Sequence, residues 1–200
     1  QVGIHKFREE HNLGTKPIIA LLPGSRKQEI TKMLSVMLSL VNDFSEYQFV
    51  IAGAPSQDFS FYQQIIDSKE VRFINNKTYD LLSVSYAALV ASGTATLETA
   101  LFKVPQVVCY KGGSISYQIA KRIITLKFIS LVNLIMDKEV VIELIQNNFT
   151  KQKLVVELRK ILDPKNREKL FLEYFELEQI LGGKGASEKV AKAIYENIKK

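Results

Sequence analysis

Strand-like and helix-like segments alternate along this chain almost without interruption. That alternation limits the fold more than any other property, because it is the pattern of a parallel sheet with helices on both faces. Short apolar runs predict strands at Ile18–Leu22, Gln48–Ala52, Val71–Ile74, Ala87–Ala91 and Gln106–Cys109, with a weaker one at Phe128–Leu131. Helices are expected between them. Lys27–Phe44 carries Ile30, Met33, Leu34, Met37, Leu38 and Val41 at helical spacing, and Phe59–Ser68, Thr78–Ser85, Thr94–Phe102 and Ser116–Thr125 follow. Pro105 ends one helix and launches the next strand. From Lys138 onward the pattern is helical only, at Glu139–Asn147, Lys151–Leu162, Pro164–Leu181 and Ser187–Lys199, the last two parted by Gly182-Gly183-Lys184-Gly185. The expected fold is therefore α/β, a doubly wound parallel sheet of about six strands with right-handed crossovers and extra C-terminal helices.

Two of the strand-to-helix turns carry chemistry. Leu89-Val90-Ala91 breaks into Ser92-Gly93-Thr94 and then a helix with Glu98 in its second turn. Backbone N–H groups at a helix N-terminus lack partners and sit at the positive end of the helix dipole, so they suit an anion. Glu98 is placed to accept hydrogen bonds from vicinal hydroxyls, as acidic residues do for ribose in dinucleotide folds. The same residues also suit a helix merely capped by its own Ser or Thr. The second turn, Pro23-Gly24-Ser25-Arg26, follows another buried-looking strand. Parallel strands bring their C-terminal ends to one edge, so both turns can face one crevice. There the forked, permanently charged guanidinium of Arg26 suits a diphosphate, including the charge that builds on a departing nucleotide; a solvated residue at a helix start is the alternative.

Composition excludes more than it selects. A chain of 200 residues, 46% hydrophobic and 24% charged, has the apolar mass for one core. The balance of 27 Lys+Arg against 21 Asp+Glu gives a charge of +6, which favours polyphosphates or an anionic membrane surface without choosing between them. Nucleic acid is not expected as a partner, since no zinc-finger spacing, recognisable helix-turn-helix or interleaving of aromatic and basic residues stands out. Cys109 is the lone cysteine, which rules out a disulfide within the chain and suits a reducing cytoplasm. No apolar stretch reaches the ~20 residues of a membrane span, and Gln1-Val2-Gly3-Ile4-His5-Lys6 lacks a signal-peptide core. Both histidines, His5 and His11, lie in the polar leader, so His-based catalysis or a His-rich metal site has nothing to work with in the body of the chain, and no metal-ligand cluster is visible elsewhere.

Five ordered blocks resemble one family. They are Leu21-Leu22-Pro23-Gly24-Ser25-Arg26-Lys27-Gln28-Glu29-Ile30, Ala91-Ser92-Gly93-Thr94-Ala95-Thr96-Leu97-Glu98, Val104-Pro105-Gln106-Val107-Val108-Cys109-Tyr110-Lys111, Ile129-Ser130-Leu131-Val132-Asn133-Leu134-Ile135 and Glu143-Leu144-Ile145-Gln146. Their order is similar to that in lipid-A-disaccharide synthases, and the likeness runs from about Lys16 to the C-terminus. Val132 departs from it, as many members have proline there. The resemblance implies a Rossmann-like domain, one half of an inverting GT-B glycosyltransferase. Such an enzyme moves 2,3-diacylglucosamine from UDP-2,3-diacylglucosamine onto 2,3-diacylglucosamine 1-phosphate, with no metal or other cofactor. It further implies that Arg26, beside Gly24 and Ser25, contacts the diphosphate and is the catalytic cation of this half. Ser92, Gly93 and Thr94 would supply the phosphate turn and Glu98 would hold the ribose. Backbone groups near Ile74 would read uracil, while Asn133 and Gln146 would line the interdomain cleft; helix capping or a satisfied core amide suits the last two equally.

The resemblance also sets the expected organisation. Residues 1–15 are read as a linker, 16–181 as the UDP-sugar-binding domain, and 182–200 as a hinge and helix. That helix, with its stripe of Val190, Ala191, Ile194 and Ile198, packs either on this domain or on an N-terminal acceptor domain that supplies the catalytic base. The expected location is cytoplasmic, with peripheral contact with the inner membrane. Two rivals share the scaffold: another UDP-sugar enzyme, such as a UDP-N-acetylglucosamine 2-epimerase or the peptidoglycan transferase, and a non-catalytic nucleotide-binding module.

Overall fold

The computed structural model describes residues 3–66, 70–112, 127–182 and 195. The expected helix Ser116–Thr125, the glycines 183 and 185, and the stripe of Ser187–Lys199 lie outside the described residues. A parallel sheet of six strands forms the centre: β1 (Ile18–Leu22), β2 (Gln48–Gly53), β3 (Arg72–Asn75), β4 (Ala87–Ala91), β5 (Gln106–Tyr110) and β6 (Glu143–Ile145). Their spatial order is β3-β2-β1-β4-β5-β6, the order of dinucleotide-binding sheets. The α/β class read from the alternation is borne out.

The two central strands, β1 and β4, are apolar throughout because both faces are covered, so no polar side remains to alternate with, whereas the outer strands β3 and β6 carry Arg72, Asn75 and Glu143. Successive side chains point opposite ways. Ile19 and Leu21 join Phe49, Ile51, Leu89, Val107 and Cys109 under α2 (Lys27–Leu38), α3 (Phe59–Ile66) and a later helix, Lys151–Leu162. Ile18, Ala20 and Leu22 join Val50, Ala52, Ala88 and Val90 on the other face, where α4 (Thr78–Ser83) contributes Leu81 and Leu82. Beside them α5 (Thr94–Leu101), α6 (Leu131–Met136) and the helix Pro164–Ile180 pack Ala100, Val132, Met136, Tyr174 and Leu177 onto Val108. Residues 4–10, in the stretch read as a linker, form α1 and bury Phe7 in the second layer. With Lys151–Leu162 as α7 and Pro164–Ile180 as α8, no helix among the described residues is long and apolar enough to cross a membrane.

Two expectations fail at the sheet's edge. Phe128–Leu131 is not a strand: Ser130 caps α6 by accepting from Asn133 N–H, and the amides of Ile129 and Ser130 donate to the Glu143 carboxylate instead of to a ladder. The sixth strand is Glu143–Ile145, inside a stretch expected to be helical. β5 offers it an open edge, pairing Val108, Cys109 and Tyr110 with Glu143, Leu144 and Ile145, and Leu144 gains burial there. Pairing and burial override a local helical period. The long first helix also stops early, at Leu38, with a 3-10 turn at Val41–Asp43 carrying the chain toward β2.

Candidate functional site

β1 and β4 are neighbours, yet their connections leave in opposite directions, so the ends of these strands part and leave a crevice. The crevice is a cleft of about 750 Å³ at the C-terminal ends of β1, β2 and β4. Both turns singled out in the sequence open onto it.

The first wall is the turn after β1. Gly24 has φ +102, a conformation in which a side chain is strained, and it carries the chain close past Glu29, whose Oε2 would lie 3.2 Å from any added Cβ. The carbonyl of Ser25 accepts from Ser56 Oγ at 3.1 Å and Gln57 Nε2 at 3.5 Å, which ties this turn to the loop after β2. That loop is held in turn by Tyr62, whose buried hydroxyl accepts from Ala54 N–H at 2.9 Å. Arg26 precedes α2 with its side chain 83% exposed, Nη1 lying 3.4 Å from Glu29 Oε1. Glu29 lines the cleft and Arg26 does not; the guanidinium stands beside the rim, paired at an exposed position with Glu29.

The second wall is the turn after β4. Gly93 is extended, and α5 begins at Thr94. Thr96 N–H and Oγ both reach back to Gly93 O, at 3.2 and 2.8 Å, while the amides ahead of it have no carbonyl in the preceding turn to meet. Ser92 donates its hydroxyl to Ile129 O at 3.0 Å, so that side chain is committed to the neighbouring loop. Glu98 faces the cleft from the second turn of α5, its Oε1 accepting from the Tyr79 hydroxyl at 3.1 Å.

Gly24, Ser25, Ser92, Gly93, Thr94 and Glu98 therefore share one cleft. Other expected site residues sit elsewhere. The Ile74 side chain is buried in the core; what reaches the cleft after β3 is Asn76, with a left-handed φ of 56°, and Lys77. Asn133 is wholly buried and spends its amide internally. Nδ2 donates to Val141 O and Glu143 Oε1, and Oδ1 accepts from Val140 and Val141 N–H. It does not line the cleft. Gln146 follows β6 with φ 51°, and its Nε2 is buried with no partner among the described residues.

Sequence reasoning missed the lip formed by Lys77, Tyr79 and Asp80. The available signal was a third strand-to-helix turn, Asn75-Asn76-Lys77-Thr78, ending at the same sheet edge. Lys77 Nζ lies 3.6 Å from Glu10 and 3.4 Å from His11 Nε2, linking α1 to the cleft. Partial burial, reinforced by the Lys77 charge, lowers the pKa of His11. Among the described residues no group of three or more His, Cys, Asp or Glu is placed to hold a metal.

The model of the lipid-A-disaccharide synthetase family matches residues 5–194. The chain belongs to that family. Among its relatives, the lipid-A-disaccharide synthase of Syntrophus aciditrophicus is 39% identical over 190 residues, covering 91% of this chain and 50% of the relative. That of Coxiella burnetii (strain CbuG_Q212) is 35% identical over 188 residues, covering 92% and 50%. The chain thus spans about half the length of the curated lipid-A-disaccharide synthases it matches. Among solved structures, the S. aureus MnaA–UDP structure superposes with a TM-score of 0.65 at 14% identity, covering 100% of this chain and 49% of that one. The C-terminal CMP-Kdo binding domain of WaaA from Acinetobacter baumannii superposes with a TM-score of 0.55 at 13% identity, covering 88% and 96%. These two likenesses bear on the fold of the lipid-A-disaccharide synthetase half, a Rossmann-like GT-B unit.

Proposed function

We propose that this chain is the nucleotide-sugar-binding half of a lipid-A-disaccharide synthase, taking UDP-2,3-diacylglucosamine as donor and serving transfer of its sugar to 2,3-diacylglucosamine 1-phosphate. The observation that carries the reading is the convergence of the turn at Gly24 and Ser25 with the Ser92–Glu98 turn on one cleft in a chain of this family. The diphosphate rests against the first amides of α5, and the Arg26 guanidinium swings from Glu29 to cover it. Glu98 takes the ribose hydroxyls, and the backbone beyond Ile74, at Asn75 and Asn76, reads uracil.

Direct displacement inverts the anomeric carbon: the acceptor hydroxyl attacks as a base removes its proton, and UDP departs with the bonding pair. This half stabilises the departing diphosphate through fixed N–H dipoles and one cation, with no metal ion. The base belongs to an N-terminal acceptor domain, so the chain by itself binds donor without turnover. Gln146 does not line the cleft and its Nε2 is buried, so a donor seated in the cleft does not meet it. Asn133 serves by holding Glu143 and its loop. The assembled enzyme works in the cytoplasm at the edge of the inner membrane.

Calorimetric titration with UDP, UMP and a UDP-glucosamine derivative tests the reading. UDP binds the wild type, and Glu98→Ala weakens it by roughly 10-fold to 150-fold, the worth of a charge-assisted hydrogen bond. Arg26→Ala weakens UDP more than UMP. Failure of every uridine nucleotide to bind, or unchanged UDP affinity in both variants, overturns the proposal.

A further inference from the structure

Tyr79, in the first turn of α4, is left 56% exposed at the lip of the cleft, yet it is held in place from two sides. Its ring lies against Phe102, centroids 5.5 Å apart and planes 31° apart, and its hydroxyl donates to Glu98 Oε1 at 3.1 Å. Tyr79 follows β3 and Glu98 follows β4, so this contact joins two separate strand-to-helix crossovers at one side of the cleft. The hydrogen bond to the Glu98 carboxylate raises the phenol pKa above its ordinary value, which already lies well above neutral pH.

That proton is committed to Glu98, so the phenolic oxygen has only lone pairs left for a further partner. Glu98 uses one carboxylate oxygen on Tyr79 and retains Oε2 for another donor. Two acceptor oxygens, on side chains joined by this hydrogen bond, thus stand side by side at the cleft, and a vicinal diol supplies two O–H donors on adjacent carbons. We propose that Tyr79 and Glu98 together accept the 2′ and 3′ hydroxyls of the nucleotide, which makes Tyr79 a residue that selects ribose over a sugar lacking those hydroxyls. The assignment rests on the uridine-nucleotide reading of the cleft. Tyr79 acts in two ways: it contributes one acceptor, and it fixes the rotamer of Glu98.

Titrating the full 200-residue chain with UDP and with 2′,3′-dideoxy-UDP tests this in wild type, Tyr79→Phe and Tyr79→Ala. Wild type prefers UDP by about a hundredfold, and Tyr79→Phe weakens UDP about tenfold, consistent with loss of one such hydrogen bond. The affinity for 2′,3′-dideoxy-UDP stays within about twofold of wild type in Tyr79→Phe, because that nucleotide has no hydroxyl for Tyr79 to meet. An unchanged ratio between the two nucleotides in Tyr79→Phe overturns the proposal. So does a Tyr79→Ala variant that loses affinity for both nucleotides equally while Tyr79→Phe loses none, since that pattern marks stacking on the base. Wild type binding both nucleotides alike defeats the diol assignment and leaves the uridine reading intact, whereas wild type binding neither removes both.

Discussion

Replacing Asn133 by alanine separates a scaffold role from a ligand contact. The side chain is fully buried and makes four hydrogen bonds, to Val141 O at 2.7 Å, to Glu143 Oε1 at 2.9 Å, and from the amides of Val140 and Val141 at 2.8 and 2.9 Å. Asn133→Ala deletes all of them at once. Val140 N–H keeps its bond to Lys138 O at 3.1 Å, but Val141 is 1% exposed and is left with an unpaired N–H and C=O. Each orphaned buried group costs about 1–3 kcal/mol, so the two together cost about 2–6 kcal/mol. Against a typical total of about 5–15 kcal/mol that is a large fraction, and the variant stays measurable only if the parent is not marginal. Urea unfolding followed by far-UV circular dichroism reads the change as a fall in midpoint at constant slope. UDP affinity, measured well below that midpoint, falls much less than it does in Glu98→Ala. A stability loss under about 1 kcal/mol together with a tenfold loss of UDP affinity would refute the scaffold argument and return Asn133 to the ligand.

Gly53 ends β2 with the Phe73 ring pressed onto it: an added Cβ would lie 2.3 Å from Cζ and 2.7 Å from Cε2. Phe73 is itself packed on Phe59 and Tyr62, so Gly53→Ala destabilises by about 1–3 kcal/mol in thermal or urea unfolding, and combining it with Phe73→Ala costs less than the sum of the two. Cys109 has no exposed surface, and burial pushes its thiol pKa far above the ordinary range. A thiol-specific reagent at pH 8 therefore labels it only as fast as the sheet opens, and label uptake in native buffer at the rate seen in urea would contradict that placement.

The central strands and the two glycine turns were legible because their signals are local. Ile18–Leu22 and Ala87–Ala91 are short apolar runs that both faces of a sheet can bury, and Pro23-Gly24 and Ser92-Gly93 break such runs before helical periods. Their meeting at one rim follows from parallel pairing, and the cleft that contains Ser25 and Thr94 fulfils it. The sixth strand was not legible. Val140-Val141-Ile142 suits a strand or a buried helix equally, and only the open edge of β5, with Glu143 turned to catch the Ile129 and Ser130 amides, decided it. Asn133 and Tyr79 mark the same boundary from opposite sides. A polar residue among Leu and Ile is either a ligand contact or a satisfied amide, and its partners, seven to ten positions away, lie beyond the end of its own helix, in the loop and strand that follow. Tyr79 meets Glu98 across nineteen residues and two crossovers. Periodicity and turn chemistry act between near neighbours, so the chain itself determined the central strands, the two glycine turns at their ends and the charge those turns carry. Which side chain completes which hydrogen bond depends on how separate crossovers pack, and that is settled only when the sheet closes.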